Sequence, residues 1–514
     1  MEQRALNLRT RIERRAEPPT YRQQVMRAVD PATFEMIGSV PQIPEAQVPA
    51  MVERARKAAD AWGLASWEER GRTLAKLRKL IGQRSGEIAG IISRSMGKPV
   101  FEALHYDVAM VLDDLTDYIR HAEPYLADEE VKLPVGMEKR KHALIRYAPR
   151  GVVCVIAPWN FPFELAMSPA IAALAAGNAV IVKPSSAAPL VGELIEKLFQ
   201  EAFPDWPGLA QVAHGPGRLG TAIATADGVD FVVFTGSTSV GTKLQSALAP
   251  LLRPSLLELG GCDPMIVCAD ANLERAAAAA VYGRFCNNGQ VCAAVKRVYC
   301  HETVCRTFLE KLVTRVNLLK LGPGTDPSSD VGPLANDRAV GTLRSLLHDA
   351  LDKGAKLVAG GFPAIQAGWY WQPTVITNVD HSMRIMKEEA FGPILPVCAV
   401  KDDEEAIELA NDNPYGLDAY VFTSDMRRAH RIANRLKAGS VDINDVMVNY
   451  VIRDIPFGGV KSSGHNRYHG RIGLRLFTEY KGMVIDDGTA DTEAEWFPYS
   501  EAKRDAAQER CGKV

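Results

Sequence analysis

The stretch NNGQVCAAVKR (287–297) places a cysteine, Cys292, just after an asparagine–glycine turn. A cysteine there can be a nucleophile, a metal ligand or buried filler, and filler is the commoner use. Asn288 and Gly289 tolerate left-handed backbone, which leaves the Cys292 N–H free to donate. A thiolate beside its own N–H can attack a carbonyl and then help hold the oxyanion. Two other stretches offer complementary groups. In APWNFPFELAM, Asn160 is bracketed by Pro158 and Pro162, which fix the backbone and can hold the amide in one direction. A rigid amide donor suits an oxyanion, although asparagine is also an ordinary turn residue. In LLELGG, Glu258 closes an apolar run. Partial desolvation raises a carboxyl toward general-base range, and a salt-bridged glutamate is the plain alternative.

Three further stretches suit a ligand more than a bond-making step. VKPSS puts Lys183 at the end of an apolar run, where a cation meets ribose or phosphate unless it is a simple edge lysine. FTGSTSVG sets Ser237, Thr238 and Ser239 between Gly236 and Gly241. It does not follow the GxGxxG pattern, but its strand–turn–helix context leaves N–H groups that can cradle phosphate. KEEAFGP holds Glu389 and Phe391 at a turn closed by Gly392 and Pro393, which by itself reads as a solvated acidic turn. Cys300, His301 and Cys305 have no CxxC spacing and no answering second cluster, so no metal site is expected.

These groups need elements to hold them. Residues 44–128 put apolar side chains at three- and four-residue spacing and predict helices, one run closing at Gly97 and Pro99. From Gly151 the pattern changes. GVVCVIAP, AVIVKPS, AQVAHG, VDFVVFTGS and PSLLELGG are short apolar runs separated by helical stretches. That alternation predicts an α/β fold with a parallel sheet buried on both faces, which binds ligands at the carboxyl ends of its strands. A second α/β region runs from PMIVCAD through KRVYCHETV, TVITNV, LPVCAV and AYVFTS to GSVDIN. Residues 138–149 and 475–486 read as strands detached from both. The tail after Asp487 is polar apart from EWFPYS and is expected at the surface or at a subunit contact.

With 514 residues the chain needs two or three domains, and 47% hydrophobic content gives each a core. A net charge of −2 implies no bulk attraction to nucleic acid or to a membrane surface. Nine cysteines, odd in number and thinly spread, do not form a disulfide framework, so a reducing, cytoplasmic location is expected. The arginine-rich start, MEQRALNLRTRIERRAEPP, lacks an apolar core and carries Glu2, Glu13 and Glu17, so it reads as a surface arm and not a targeting signal. Residues 163–182 are the most apolar stretch. Glu164, Pro169 and Asn178 make them a buried helix and strand in preference to a membrane span.

In their order and spacing, these stretches resemble the NAD(P)-dependent aldehyde dehydrogenase superfamily over about residues 25–485. MGKP (96–99), NPYGL (413–417) and PFGGVKSSG (456–464) belong to the same resemblance. It implies that Cys292 is the nucleophile, Glu258 the general base, and Asn160 with the Cys292 N–H the oxyanion hole. It also implies an NAD or NADP site. Lys183 would hold the adenosine ribose, and the Gly236–Ser237–Gly241 turn the pyrophosphate. Glu389 would bind the nicotinamide ribose, with Phe391 and Trp159 lining that pocket and Ser186, Gly217, Gly220 and Leu259 as further contacts. The implied fold has a Rossmann-like cofactor domain (1–127 with 150–258), a catalytic domain (259–460) and a small β extension for oligomerisation (128–149 with 468–514). Homodimers or homotetramers are implied. The implied reaction is oxidation of an aldehyde to its acid through a thiohemiacetal and a thioester on Cys292.

Two departures carry information. Where members preferring NAD often have glutamate, three residues after Lys183, this chain has Ser186, which favours NADP or dual use. Arg467 is followed by Tyr468 and not by a second glutamate, so Glu258 would act alone. Expected tunnel residues are Phe161, Glu164, Leu165, Ser168, Cys286, Val291, Val451 and Phe457, mostly neutral, with no arginine cluster despite Arg453 nearby in sequence. They favour an uncharged aliphatic or aromatic aldehyde, with Glu164 leaving an amino-aldehyde as a variant. Two rivals are a coenzyme A-acylating dehydrogenase, which would not need Glu258, and a non-catalytic binding protein, which would not need Cys292.

Overall fold

The computed structural model describes residues 24–134, 137–363, 367–493 and 495–512. The arginine-rich start lies outside the described residues. A hairpin of β1 (Val25–Val29) and β2 (Met36–Pro41) comes first and was not expected from sequence. Helices Val48–Trp62, Trp67–Gln83, Ser85–Met96 and Met110–Leu126 follow, with their apolar stripes buried. The run expected as one helix up to Gly97 is two, because Arg84 leaves helical geometry (φ −108°, ψ 14°). Gly97 (φ 80°) ends the second, its N–H on the Ser93 carbonyl. A π-helical segment, Ala103–Ala109, leads into the helix Met110–Leu126.

After the short β3 (Glu129–Glu130) and the long β4 (Lys141–Pro149), the chain builds its first parallel sheet. The strands are β5 (Val152–Ile156), β6 (Ala179–Lys183), β7 (Ala210–Val212), β8 (Phe231–Thr235) and β9 (Ser255–Glu258). β5, β6 and β8 are rich in β-branched residues, and every strand but β7 is almost wholly buried, as a sheet covered on both faces requires. In space the order is β9-β8-β5-β6-β7. The chain first builds outward from β5 on one side and then returns to the other, so the order reverses between β5 and β8. The carboxyl ends of those two strands frame the crevice where such sheets take ligands.

The second sheet holds β10 (Asp263–Val267), β11 (Val295–His301), β12 (Lys356–Ala359), β13 (Thr374–Thr377), β14 (Ile394–Val400), β15 (Asp418–Phe422) and β16 (Ser440–Ile443). Its order is β12-β13-β14-β11-β10-β15-β16, parallel except for β12. A short β17 (Gly464–His465) pairs antiparallel with β9 and brings the PFGGVKSSG segment to the first sheet. Finally β18 (Thr478–Asp486) pairs along all of β4, giving a separate sheet β18-β4-β3. The expected strand at 475–486 thus starts later, because Gly470–Leu476 is helical. The tail carries a helix, Glu501–Gly512, with no buried residue.

Candidate active site

The loops after β5, β8 and β9 converge with the turn before β11. That turn is strongly determined. Asn287, Asn288 and Gly289 all take left-handed backbone (φ 49°, 52° and 71°), which asparagine and glycine accept most readily. Both oxygens of Glu102 accept the Asn287 N–H, at 3.1 and 3.0 Å. The Asn288 amide reaches the Gly332 carbonyl at 2.8 Å, and Gln290 Oε1 accepts the Ala335 N–H at 2.9 Å. The Arg284 guanidinium, fully buried, donates to the Gly289 and Val295 carbonyls and to those of Ala390 and Gly392. One side chain thereby ties the Cys292 turn to the Glu389–Phe391 segment.

Cys292 emerges from this turn half-buried, and its N–H meets no acceptor among the described residues. Burial pushes its thiol well above the usual range; Lys296 opposes that, while Glu389, Asp263 and Glu258 add to it. Asn160, 5% exposed, donates one side-chain amide hydrogen to the Gln290 carbonyl at 3.0 Å, and its backbone carbonyl accepts from the Asn287 side chain at 2.9 Å. The amide is thereby locked beside the turn with its second hydrogen unused. Glu258 is 3% exposed, and neither carboxylate oxygen has a partner among the described residues. Burial holds its carboxyl well above the ordinary value, against the pull of Arg467. An unpaired carboxyl of this kind can serve as a proton acceptor once a water reaches it.

The second group of residues lines the crevice beside these three. Lys183 ends β6 with 4% exposure, and no acceptor among the described residues takes its ammonium; burial lowers its pKa to about 8. Gly220 lies against the Lys183 stem. Ser237 caps the helix Thr238–Leu248, and the N–H groups of Ser237, Thr238 and Ser239 stay free of acceptors among the described residues. Gly236 packs on Phe234 and Gly241 on Leu259, where a Cβ would come within 2.6 and 2.5 Å. Glu389 lies over Gly260 and accepts the Gly261 N–H at 3.2 Å. Trp159 and Phe391 meet edge to face, 5.5 Å between centroids. Ser186 and Gly217 are exposed, at the turn after β6 and at the start of the helix Gly217–Thr225.

A narrow, mainly apolar passage runs up to Cys292. Among the expected tunnel residues Phe161, Glu164, Leu165, Cys286, Val291, Val451 and Phe457 line it. Tyr106, Met110, Tyr282, Met447 and Tyr450 complete an aromatic and aliphatic wall that the sequence did not suggest. Ser168 does not line the cavity. It is buried behind Glu164, its hydroxyl within hydrogen-bond reach of Asp114 and, at 3.0 Å, of Glu164. Glu164 also accepts from the Tyr450 hydroxyl at 2.6 Å, and burial raises its pKa to about 8. Asp114, Glu164 and His469 bring ligand-type atoms together, but a cation is already present there: Arg453 stands 3.2 Å from Asp114 and 3.0 Å from His469.

The sequence model of the aldehyde dehydrogenase family matches residues 19–483. The chain belongs to the aldehyde dehydrogenase family. It is 40% identical to a 4,4'-diapolycopene aldehyde oxidase from Methylomonas sp, over 92% of this chain and 88% of that one. An NADP dependent enzyme from E. coli shares the fold with a TM-score of 0.87 and 30% identity, covering 90% of this chain and 95% of that one. The NAD+ complex of an aldehyde dehydrogenase from Bacillus cereus superimposes with a TM-score of 0.86 at 34% identity, covering 90% and 93%. No helix among the described residues is long and apolar enough to cross a membrane.

Within this aldehyde dehydrogenase architecture, several residues that hold the site escaped the sequence reading. Glu102, Arg284, Gln290 and Lys296 act on backbone groups, and nothing in their local spacing announces that. The one available signal was burial of charge: Arg284 and Lys296 sit in apolar or glycine-rich surroundings where an unpaired charge would be costly.

Proposed function

We propose that this chain oxidises an uncharged, largely apolar aldehyde to its carboxylic acid with NAD or NADP. The observation that carries the reading is the cavity itself, a mainly apolar passage that reaches Cys292 beside Asn160. The Cys292 thiolate attacks the aldehyde carbonyl. The Cys292 N–H and the spare Asn160 amide hydrogen hold the oxyanion of the resulting thiohemiacetal. When bound, the nicotinamide supplies the two-electron acceptor that turns the thiohemiacetal into a thioester. Glu258 then takes a proton from water, which attacks the thioester and releases the acid from the sulfur. A buried base with no fixed partner supports hydrolysis over transfer to coenzyme A, and a half-buried cysteine at the end of a cavity supports catalysis over simple binding.

The residues that would hold the cofactor suit it. Lys183 offers an unpaired ammonium to ribose hydroxyls, the free N–H groups at 237–239 suit pyrophosphate, and Gly236, Gly241 and Gly260 leave no room for a side chain. The exposed Ser186 near Lys183 leaves space and a hydroxyl for a 2′-phosphate, which supports NADP or dual use. Ser186→Glu is expected to lower NADP efficiency relative to NAD; an unchanged ratio removes Ser186 from cofactor choice.

The aldehyde class follows from charge. The nearby Arg453 is tied to Asp114 and His469 and does not line the cavity, so a second carboxylate would meet no cation. Glu164, held neutral by burial, gives little attraction to an amino-aldehyde. The diapolycopene aldehyde named for the Methylomonas relative fits an apolar preference. The domains 1–127 with 150–258, 259–460, and 128–149 with 468–514 are part of the reading. So is assembly through β18, whose outer edge is unpaired among the described residues. The test is nicotinamide reduction with hexanal, decanal, benzaldehyde, succinic semialdehyde and an aminoaldehyde, each with NAD and with NADP. Higher kcat/KM for the neutral aldehydes supports the reading; a preference for the semialdehyde or the aminoaldehyde would overturn it.

A further inference from the structure

Lys296 stands at the second position of β11, four residues after Cys292, and is 1% exposed. Its ammonium donates to the Val291 carbonyl at 2.7 Å and the Cys292 carbonyl at 2.9 Å. Its third direction meets Glu389 Oε1 at 3.5 Å, and the Phe391 ring centroid lies 5.7 Å away. An ammonium has three donors, and here two of them clasp successive carbonyls of the cysteine turn. Burying that charge is costly, and a neutral side chain would serve a strand start equally well. The arrangement therefore calls for a use of the charge.

The groups facing Cys292 make that use plain. Lys296 stabilises a negative sulfur, whereas the carboxylates of Glu389, Asp263 and Glu258 destabilise it. The Tyr420 and Tyr468 hydroxyls also lie within electrostatic reach of the sulfur. Lys296 in turn acts on Asp263 and on the Cys262 thiol, where Arg297 adds a second positive charge. Glu389 thus touches both sides of the balance: it faces Lys296 and opposes the thiolate.

We propose that Lys296 is a positioning residue for the nucleophile: it clasps the 291–292 carbonyls and supplies positive charge to the Cys292 thiolate, in balance with Glu389. The inference rests on Cys292 being the nucleophile. It gives this lysine a role distinct from that of Lys183, which ends β6 in the first sheet.

The experiment uses the full chain without substrate. Iodoacetamide labelling of Cys292 is followed by peptide mass across the neutral-to-alkaline range, and the pH of half-maximal rate is read. Lys296→Met should raise that midpoint by about one pH unit, and Glu389→Gln should lower it by a similar amount. Lys296→Arg should restore the midpoint even if the plateau rate stays low. A folded Lys296→Met protein with a lower plateau and an unmoved midpoint would reduce Lys296 to a structural role and overturn the proposal. If Lys296→Met does not fold, Glu389→Gln decides: a lowered midpoint supports the charge balance, and an unmoved or raised one overturns it. Cys292→Ala separates the two readings. If it retains aldehyde oxidation, the nucleophile assignment fails; if it is inactive while the midpoints stay fixed, only the Lys296 proposal fails.

Discussion

Asn160 and Gln290 are joined across the crevice: the Asn160 side-chain amide donates to the Gln290 backbone carbonyl at 3.0 Å, two residues before Cys292. The bond fixes an amide from the loop after β5 against the cysteine turn before β11. The same loop returns a bond, since the Asn160 carbonyl accepts from the Asn287 side chain. Asn160→Ala removes the oxyanion donor and this tie together. The expected result is a fall in kcat of about 10²–10³-fold with a smaller change in KM. Steady-state kinetics with a neutral aldehyde check it, and a purely KM effect would remove Asn160 from the oxyanion hole.

Glu258 should act late in the cycle. In Glu258→Gln, thiolate attack and thioester formation remain while hydrolysis slows. Rapid mixing should show about one equivalent of reduced nicotinamide per site, followed by turnover slowed roughly 10²–10⁴-fold. Because burial raises the Glu258 carboxyl, its basic form accumulates only as pH rises. Wild-type turnover should therefore climb with pH on that limb, and the variant should lose the limb. Loss of the burst itself would place Glu258 earlier, at the thiol.

Glu164 links the cavity wall to stability. Its folded pKa of about 8 lies above the ordinary carboxyl value of 4.5. Between those values the folded state keeps the proton and the unfolded state has lost it. The stabilising contribution is thus complete below about pH 4.5 and is lost as pH rises through about 8. Glutamine keeps acceptors for Tyr450 and Ser168 without that dependence. Glu164→Gln should melt roughly 2–4 °C higher than wild type at pH 8, with the gain shrinking toward pH 5. Thermal melts across pH check it; a gain that grows toward acid would reverse the assignment.

Gly289 is held at φ 71°, and a Cβ there would lie 2.6 Å from the Gly392 backbone. The Arg284 guanidinium would stand 2.8 Å away, and the nearer Gly392 atoms are backbone and cannot swing aside. Gly289→Ala should strain the turn by about 1–3 kcal/mol and push the Glu389–Phe391 segment away. A lower melting temperature, a lower kcat and a raised KM for the cofactor are expected together. Wild-type kinetics in this variant would show that the turn has slack.

Much of this architecture was legible in the chain. The runs ending at Ile156, Lys183, Thr235 and Glu258 are apolar, the first three also β-branched, and each became a strand of one parallel sheet with its functional residue at or just past the carboxyl end. The NNG turn declared its left-handed backbone through residue type alone. Other features depended on distant partners. Val25–Val29 and Met36–Pro41 are short and half exposed, and Lys356–Ala359 is an edge strand with one buried residue, so their patterns were faint. Ser168 has the right helical spacing to face the cavity beside Glu164, but Asp114, from another helix, draws it behind. Lys296 looks like an ordinary strand lysine until the chain folds back and its own turn becomes its ligand.

The proposed mechanism depends on one bond, between the substrate carbon and the Cys292 sulfur. The most direct measurement is intact and peptide mass of Glu258→Gln after a single turnover with decanal and the preferred cofactor. The expected result is a decanoyl adduct on the peptide carrying Cys292, one per chain, and none in the Glu258→Gln/Cys292→Ala double variant. Nicotinamide reduction with no adduct, or an adduct on Cys286 in place of Cys292, would contradict it.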